Sequence, residues 1–163
     1  DALALSKPYR LVAGGRERQD SVWNGLAALP AQATVVAIQD GARPCTSPRA
    51  ITATVDAARA HGAAVAAQRV TDTIKTSEDG QTIQGHLDRS RLWAVQTPQA
   101  FQVPIIRRAL AAVRDQGRVV TDDTAACELI GQAVRLVESP EPNPKVTVPS
   151  DLPYVELLLQ QLR

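Results

Sequence analysis

The chain has 163 residues, a formal net charge of +1, and 44% hydrophobic, 21% charged and 3% aromatic residues. This is the balance of one folded domain with a real core, and it excludes a disordered tail. It also excludes two kinds of partner: no apolar run nears the ~20 residues that span a bilayer, and a chain with no basic block and few aromatic platforms offers no nucleic-acid surface.

The opening stretch from Asp1 to Arg10 carries no basic-then-apolar export pattern. Tyr9 to Val12 reads as a strand, followed by the turn Gly14-Gly15 and a helix from about Gln19 to Leu29 with Val22, Leu26 and Leu29 on one face. Thr34 to Ile38 is a short buried strand, broken at Asp40-Gly41-Ala42-Arg43-Pro44. Ser47 as N-cap with Pro48 behind it starts a second helix, which ends near His61-Gly62. Ala63 to Gln68 is a strand of small residues. From Thr71 to Asp88 apolar and polar residues alternate around Asp79-Gly80, the pattern of a β-hairpin standing off the body. Leu92 to Gln96 resumes the sheet, Val103 to Gln116 is an amphipathic helix stopped by Gly117, and a short helix covers about Thr124 to Ile130. Val134 to Val137 is a late strand. A proline-rich loop then leads through Val146 to Val148 into a helix capped by Ser150-Asp151 and carrying Leu152, Val155, Leu158, Leu159 and Leu162. Alternating strands and helices predict an α/β fold with a mostly parallel, Rossmann-like sheet, helices on both faces and a protruding hairpin arm.

Ligands of open α/β sheets bind beyond the carboxyl ends of strands, so Asp40-Gly41-Ala42-Arg43 is the first candidate site. Asp40 could hold hydroxyls and Arg43 a phosphate. The same residues equally suit a tight turn closed by an internal Asp–Arg pair. Lysine occurs only at Lys7, Lys75 and Lys145, which marks the last two, inside motif-like segments, as candidate phosphate contacts. Cys45 and Cys127 are far apart and lack metal-ligand spacing, which points to a reducing compartment.

Six strings in order, GGRERQDSV, QDGARP, TDTIK, DRSRLWAVQTPQAF, VTDD and NPKVTVPSDL, run from Gly14 to Leu152. Together they resemble the 2-C-methyl-D-erythritol 4-phosphate cytidylyltransferase family. The resemblance implies transfer of CMP from CTP to methylerythritol phosphate with release of diphosphate, a step of isoprenoid precursor synthesis, with Mg²⁺ held mainly by the CTP phosphates and no protein metal site. Such a transfer needs alignment and positive charge rather than a nucleophile.

By motif match, the resemblance puts the catalytic, phosphate-positioning roles on Arg89 and Lys145. It puts acceptor binding on Asp40, Arg43, Thr73, Thr97 and Thr121, and nucleotide-base contacts on Gly15 and Ser21. The bland readings are a solvated hairpin residue for Arg89, a Glu141 pair for Lys145, and turn or cap roles for the threonines. The resemblance further implies a homodimer in which the arm at residues 71–90 crosses to the neighbour, so that Arg89 and Thr73 act in trans. A cytoplasmic location follows, either bacterial cytosol or plastid stroma.

Three departures stand out. Arg16 occupies a position where some relatives carry an acidic residue able to accept from the cytosine amino group. Gln39 stands where the family often has a histidine before the aspartate, and Pro140, Pro142 and Pro144 stiffen a loop that is usually freer in it. Family members also begin with a glycine-rich strand-loop-helix that cradles the triphosphate, and GGRER lacks its glycine spacing. The expectation is a single nucleotidyltransferase domain, N-terminally incomplete, that binds triphosphate poorly. Two alternatives stay open: a ribitol-5-phosphate-type cytidylyltransferase, and a catalytically incomplete dimerisation or binding module.

Overall fold

A computed structural model describes residues 7–161. Its strands are β1 (Val35–Ile38), β2 (Ala63–Arg69), β3 (Lys75–Thr76), β4 (Gly85–His86), β5 (Trp93–Gln102) and β6 (Arg135–Glu138). Its α-helices are α1 (Arg18–Ala27), α2 (Pro48–His61), α3 (Val103–Asp115), α4 (Asp123–Leu129) and α5 (Leu152–Gln161).

Four strands form one sheet in the order β1-β5-β2-β6. β1, β2 and β6 point the same way and β5 alone runs against them. The expected mostly parallel sheet therefore holds in strand direction, while both pairings of β5 are antiparallel. The reason is the connection: β2 passes to β5 through the arm instead of a crossover helix, and a hairpin-like return reverses the chain.

β5 runs well past Gln96, where the sequence pattern ends it, and it passes through Pro98, which has no N–H for the ladder. An irregularity accommodates Pro98. Val65 pairs with Gln99 and Ala67 with Val95, so Gln96, Thr97 and Pro98 stand against Ala66 alone. Such a bulge bends the strand and re-aims its side chains. Here it delivers Gln96 and Thr97 to the end of the sheet where β1 finishes.

Strand alternation sorts the core into two layers. On one face Ala63 and Phe101 pack with Leu26 of α1, Ile106, Leu110 and Val113 of α3, and Cys127 of α4. On the other, Ala64 and Ala100 meet Ala58 of α2 with Val55 and Val137. Side chains such as Ile106, Leu110 and Phe101, all at most 1% exposed, each contribute about 1.5–3 kcal/mol by burial. Phe101→Ala would forfeit the most, about 3–5 kcal/mol with its cavity.

The helix signals read from the sequence act as expected. Ser47 Oγ accepts from the Ala50 N–H at 3.2 Å, and α2 stops at Gly62, whose φ of 92° suits glycine. Asp122 caps α4 by accepting from the Ala125 N–H at 2.9 Å. Two expectations fail or fall outside. Tyr9 to Val12 is not a strand: it is irregular, Leu11 is 88% exposed, and no ladder partner lies beside it among the described residues. Leu162 lies outside the described residues, while Val155 of α5 is buried as read.

The arm is present with a shorter ladder than its alternation suggests. Lys75 pairs with His86 and Thr76 with Gly85. Asp79 shapes the tip, its Oδ1 accepting from the N–H groups of Gln81 and Thr82 at 2.9 and 2.8 Å.

Candidate active site

The site forms where β1 ends, the β5 bulge turns and the loop before α5 returns. Asp40 closes a turn in which the Arg43 N–H donates to its carbonyl at 3.0 Å. Thr97 Oγ1 accepts from the Asp40 N–H at 3.1 Å, tying the turn to the bulge. Gln39 braces the turn from behind: its Nε2 donates to Thr46 Oγ1 at 2.9 Å.

The Asp40 carboxylate holds two cations at once. Lys145 Nζ lies 3.1 Å and Arg43 Nε 3.6 Å from its Oδ2. The second distance is an ion pair but too long for a hydrogen bond, and Arg43 Nε has no hydrogen-bond partner. Burial lowers the Arg43 pKa from its ordinary value, with the charge of Asp40 acting in opposition. Both readings of this segment are thus present together, a turn with an internal pair and the wall of a cleft. The pairing of Lys145 with Glu141 is not formed; Glu141 instead lies 3.5 Å from Arg49 and accepts from Ser47 Oγ at 3.2 Å.

Asn143, two residues before Lys145, fixes that loop. It is 3% exposed. Its Nδ2 donates to Gln96 Oε1 and to the Thr97 carbonyl at 3.2 and 3.0 Å, and its Oδ1 accepts from Thr46 Oγ1 at 2.9 Å. Its own carbonyl accepts from Arg43 Nη1 at 2.6 Å. The β5 bulge and the Arg43–Thr46 turn are therefore both tied to the Lys145 loop through one residue, which suits the rule that a buried amide is kept only with its partners.

A cleft of about 240 Å³ results, lined by Arg18, Asp40, Arg43, Gln96, Thr97, Gln99, Thr121, Asp122 and Lys145. Five of the residues singled out in the sequence converge there: Asp40, Arg43, Thr97, Thr121 and Lys145. Arg18, Gln96, Gln99, Asp122 and Asn143 were not singled out. Arg18 comes from α1 and its Nη2 contacts Asp123 Oδ2 at 2.7 Å. The Asp123 side chain is fully buried, with Oδ1 unpartnered. Burial pushes its pKa up against the hydrogen bond and charge of Arg18. For Arg18, burial works against the charge, but Asp123 outweighs it and its pKa is raised.

Ser21 lines a neighbouring cleft, and Gly15 is tied to Ser21. The Gly15 N–H donates to Ser21 Oγ at 2.9 Å, and any Cβ at Gly15 would collide with Asp20. Ser21, Arg18, Val22, Ile38, Asp40 and Gly41 are among the residues lining that second cleft, of about 500 Å³. Arg16 is exposed. Thr73 and Arg89 do not line the cleft of their own chain; both are exposed on the arm, with Arg89 Nη1 donating to the Thr71 carbonyl at 2.7 Å.

Among the described residues no three metal-ligating side chains come together, and Asp40 is engaged by two cations. No described helix is long and apolar enough to cross a membrane.

The profile of the 2-C-methyl-D-erythritol 4-phosphate cytidylyltransferase family matches residues 1–161. The enzyme of that name from Acaryochloris marina is 45% identical over 161 residues, covering 99% of this chain and 68% of the relative. Its counterpart from Pelotomaculum thermopropionicum is 42% identical, over 98% of this chain and 67% of its own length. The crystal structure of the Thermus thermophilus enzyme superposes with a TM-score of 0.83 at 33% identity, covering 96% of this chain and 78% of that one. A profile match across the chain, close relatives and a shared α/β architecture converge on one conclusion: the chain belongs to the 2-C-methyl-D-erythritol 4-phosphate cytidylyltransferase family.

Proposed function

We propose that this protein transfers CMP from CTP to 2-C-methyl-D-erythritol 4-phosphate in isoprenoid precursor synthesis. An oxygen of the acceptor's phosphate dianion attacks the α-phosphorus of CTP, the bond from that phosphorus to the bridging oxygen breaks, and diphosphate leaves with the bond pair. The attacking oxygen carries no proton, so no general base is needed. What the chain must supply is alignment and cationic charge.

The observation that carries this reading is the convergence of Asp40, Arg43, Thr97, Thr121 and Lys145 in one polar cleft. Lys145 and Arg43 offer charge to the acceptor's phosphate, while Asp40 and the two threonines offer acceptors and hydroxyls to its polyol. Magnesium belongs to the substrate, as MgCTP. The base would rest near Gly15 and Ser21.

The protein acts as a cytoplasmic homodimer. The arm at residues 71–90 reaches the neighbouring subunit, so that Arg89 and Thr73 complete the partner's cleft. This is supported by a ladder of only two residue pairs, too little to stand off the body unaided, and by exposed Ile83 and Leu87 on the arm.

Diphosphate release from CTP tests the reading, with methylerythritol phosphate and ribitol 5-phosphate compared as acceptors. Faster turnover of the ribitol ester would overturn it. Lys145→Ala and Arg89→Ala should each lower turnover by roughly 10²-fold with CTP affinity nearly unchanged. Mixed dimers of the two variants should regain activity, and no recovery in verified mixed dimers would show that the arm serves its own subunit.

A further inference from the structure

The two clefts have Arg18 and Asp40 in common. One is the cleft of Ser21 and Gly41, large enough for a nucleoside, and the other the smaller cleft of Lys145 and Thr121. Asp40 is already occupied by Lys145 and Arg43. Arg18 is different. Among the described residues its guanidinium has Asp123 as its one hydrogen-bond partner, which uses one of five N–H donors. Its side chain stays 37% exposed, so the other donors remain available to a ligand in either cleft.

We infer that Arg18 is a catalytic residue standing where the two substrates meet, with guanidinium donors to both the donor's α-phosphate and the acceptor's phosphate, and that buried Asp123 is its positioning residue. This rests on the functional reading above. The electrostatics favour it. Two polyanions must be brought to reacting distance, and a planar fork of donors can bridge two phosphates where an ammonium acts as a point charge.

Stability alone does not account for the pair. A buried carboxylate needs a large compensation for its lost hydration, and buried ion pairs are often no more stabilising than apolar residues of similar volume. Asp123 is fully enclosed with one oxygen unmatched, which is a poor arrangement for stability and a good one for fixing a direction. Its backbone is anchored in turn, since the Asp123 N–H donates to Gln99 Oε1 at 3.1 Å. A second tie braces the same two segments: Gln19 Nε2 donates to the Arg118 carbonyl at 3.0 Å while its Oε1 accepts from the Val120 N–H at 3.0 Å. Consecutive residues of α1 thus grip the loop that carries Thr121. The nucleotide edge at Ser21 and the acceptor wall at Thr121 are set at a fixed distance, with Arg18 across the join.

The test is steady-state turnover of the full-length protein, expressed per folded molecule, alongside urea unfolding. Arg18→Gln should lower kcat by roughly 10²-fold while KM for CTP changes little. Arg18→Lys, which keeps the ion pair without the fork, should recover only part of that loss; it also serves if the glutamine variant does not fold. Asp123→Asn should lower kcat by a smaller factor, and the double variant Arg18→Gln/Asp123→Asn should be no slower than Arg18→Gln alone, because the two act as one unit. A merely structural pair would shift the unfolding midpoint and leave kcat per folded molecule within about twofold of wild type, which would overturn the inference alone. Absence of wild-type turnover would remove the functional reading and this inference with it.

Discussion

Asn143→Ala would cut the amide out of the junction between the Lys145 loop, the β5 bulge and the Arg43 turn. Three side-chain hydrogen bonds disappear, to Gln96, the Thr97 carbonyl and Thr46. A net neutral hydrogen bond is worth about 1 kcal/mol, and a buried group left unmatched costs about 1–3 kcal/mol. The partners are not all orphaned: Gln96 Nε2 still donates to Gln68 Oε1 at 2.9 Å, and Thr46 keeps Gln39 and the Arg43 carbonyl. The expected loss is therefore about 2–4 kcal/mol, which at 2–4 °C per kcal/mol lowers the thermal midpoint by roughly 5–15 °C. Urea unfolding followed by tryptophan fluorescence reads the first quantity, and acceptor saturation curves read the slackened Lys145 loop as a raised KM for the sugar phosphate. Asn143→Asp should be worse than alanine, because it turns lone pairs toward two acceptors. A variant Asn143→Ala that stays within about 1 kcal/mol of wild type, less than one such hydrogen bond with its buried partner, with unchanged slope and acceptor KM, would refute the reasoning.

Two predictions concern titration. The Cys127 thiol is pushed up to about 12 by burial and then by the charges of Asp123 and Asp122, and burial also raises Cys45; at pH 8 neither should react with a chromogenic disulfide reagent in the native protein, and both should react in urea. Prompt labelling of Cys127 without unfolding would contradict its packing. Asp151 accepts from the N–H groups of Thr147 and Val148 at 2.8 and 3.0 Å and from the Thr147 hydroxyl at 3.0 Å, which holds its carboxyl below the ordinary value. Its folded pKa lies under the unfolded one, so its contribution is present above about pH 4 and is lost as the pH falls through the folded value. Asp151→Asn should therefore flatten the acid limb of the stability profile, and an unchanged limb would count against the cap.

Local chemistry was well written in the chain. Ser47-Pro48, Gly62 and Gly117 punctuate helices through short-range effects, and a reader of residues can find them. The sequence pattern carries β5 only from Leu92 to Gln96, and the rest of the strand shows itself only in the pairing with β2, where the bulge opposite Ala66 makes room for Pro98. Tyr9 to Val12 has the right residues for a strand, but pairing is a property of two segments. The site divides the same way. Asp40 and Arg43 are neighbours and Lys145 sits in a recognisable string, so they could be named; Arg18 and Asp123 lie 105 residues apart, and nothing local links them. Asn143 stood beside a named lysine, yet what makes it important is its burial, which the text of the chain does not display.

One consequence of the double engagement of Asp40 concerns selectivity. Three cations line the smaller cleft, Arg18, Arg43 and Lys145, against the carboxylates of Asp40 and Asp122, with Asp123 behind Arg18. A phosphate entering there finds the spare donors of Arg18, but to engage Lys145 as well it must draw that lysine away from Asp40. That exchange leaves Asp40 short of donors, and inorganic phosphate brings little to replace them. A phosphate ester with free hydroxyls supplies both halves of the trade, so a site almost neutral at rest can prefer a polyol phosphate over the bare anion.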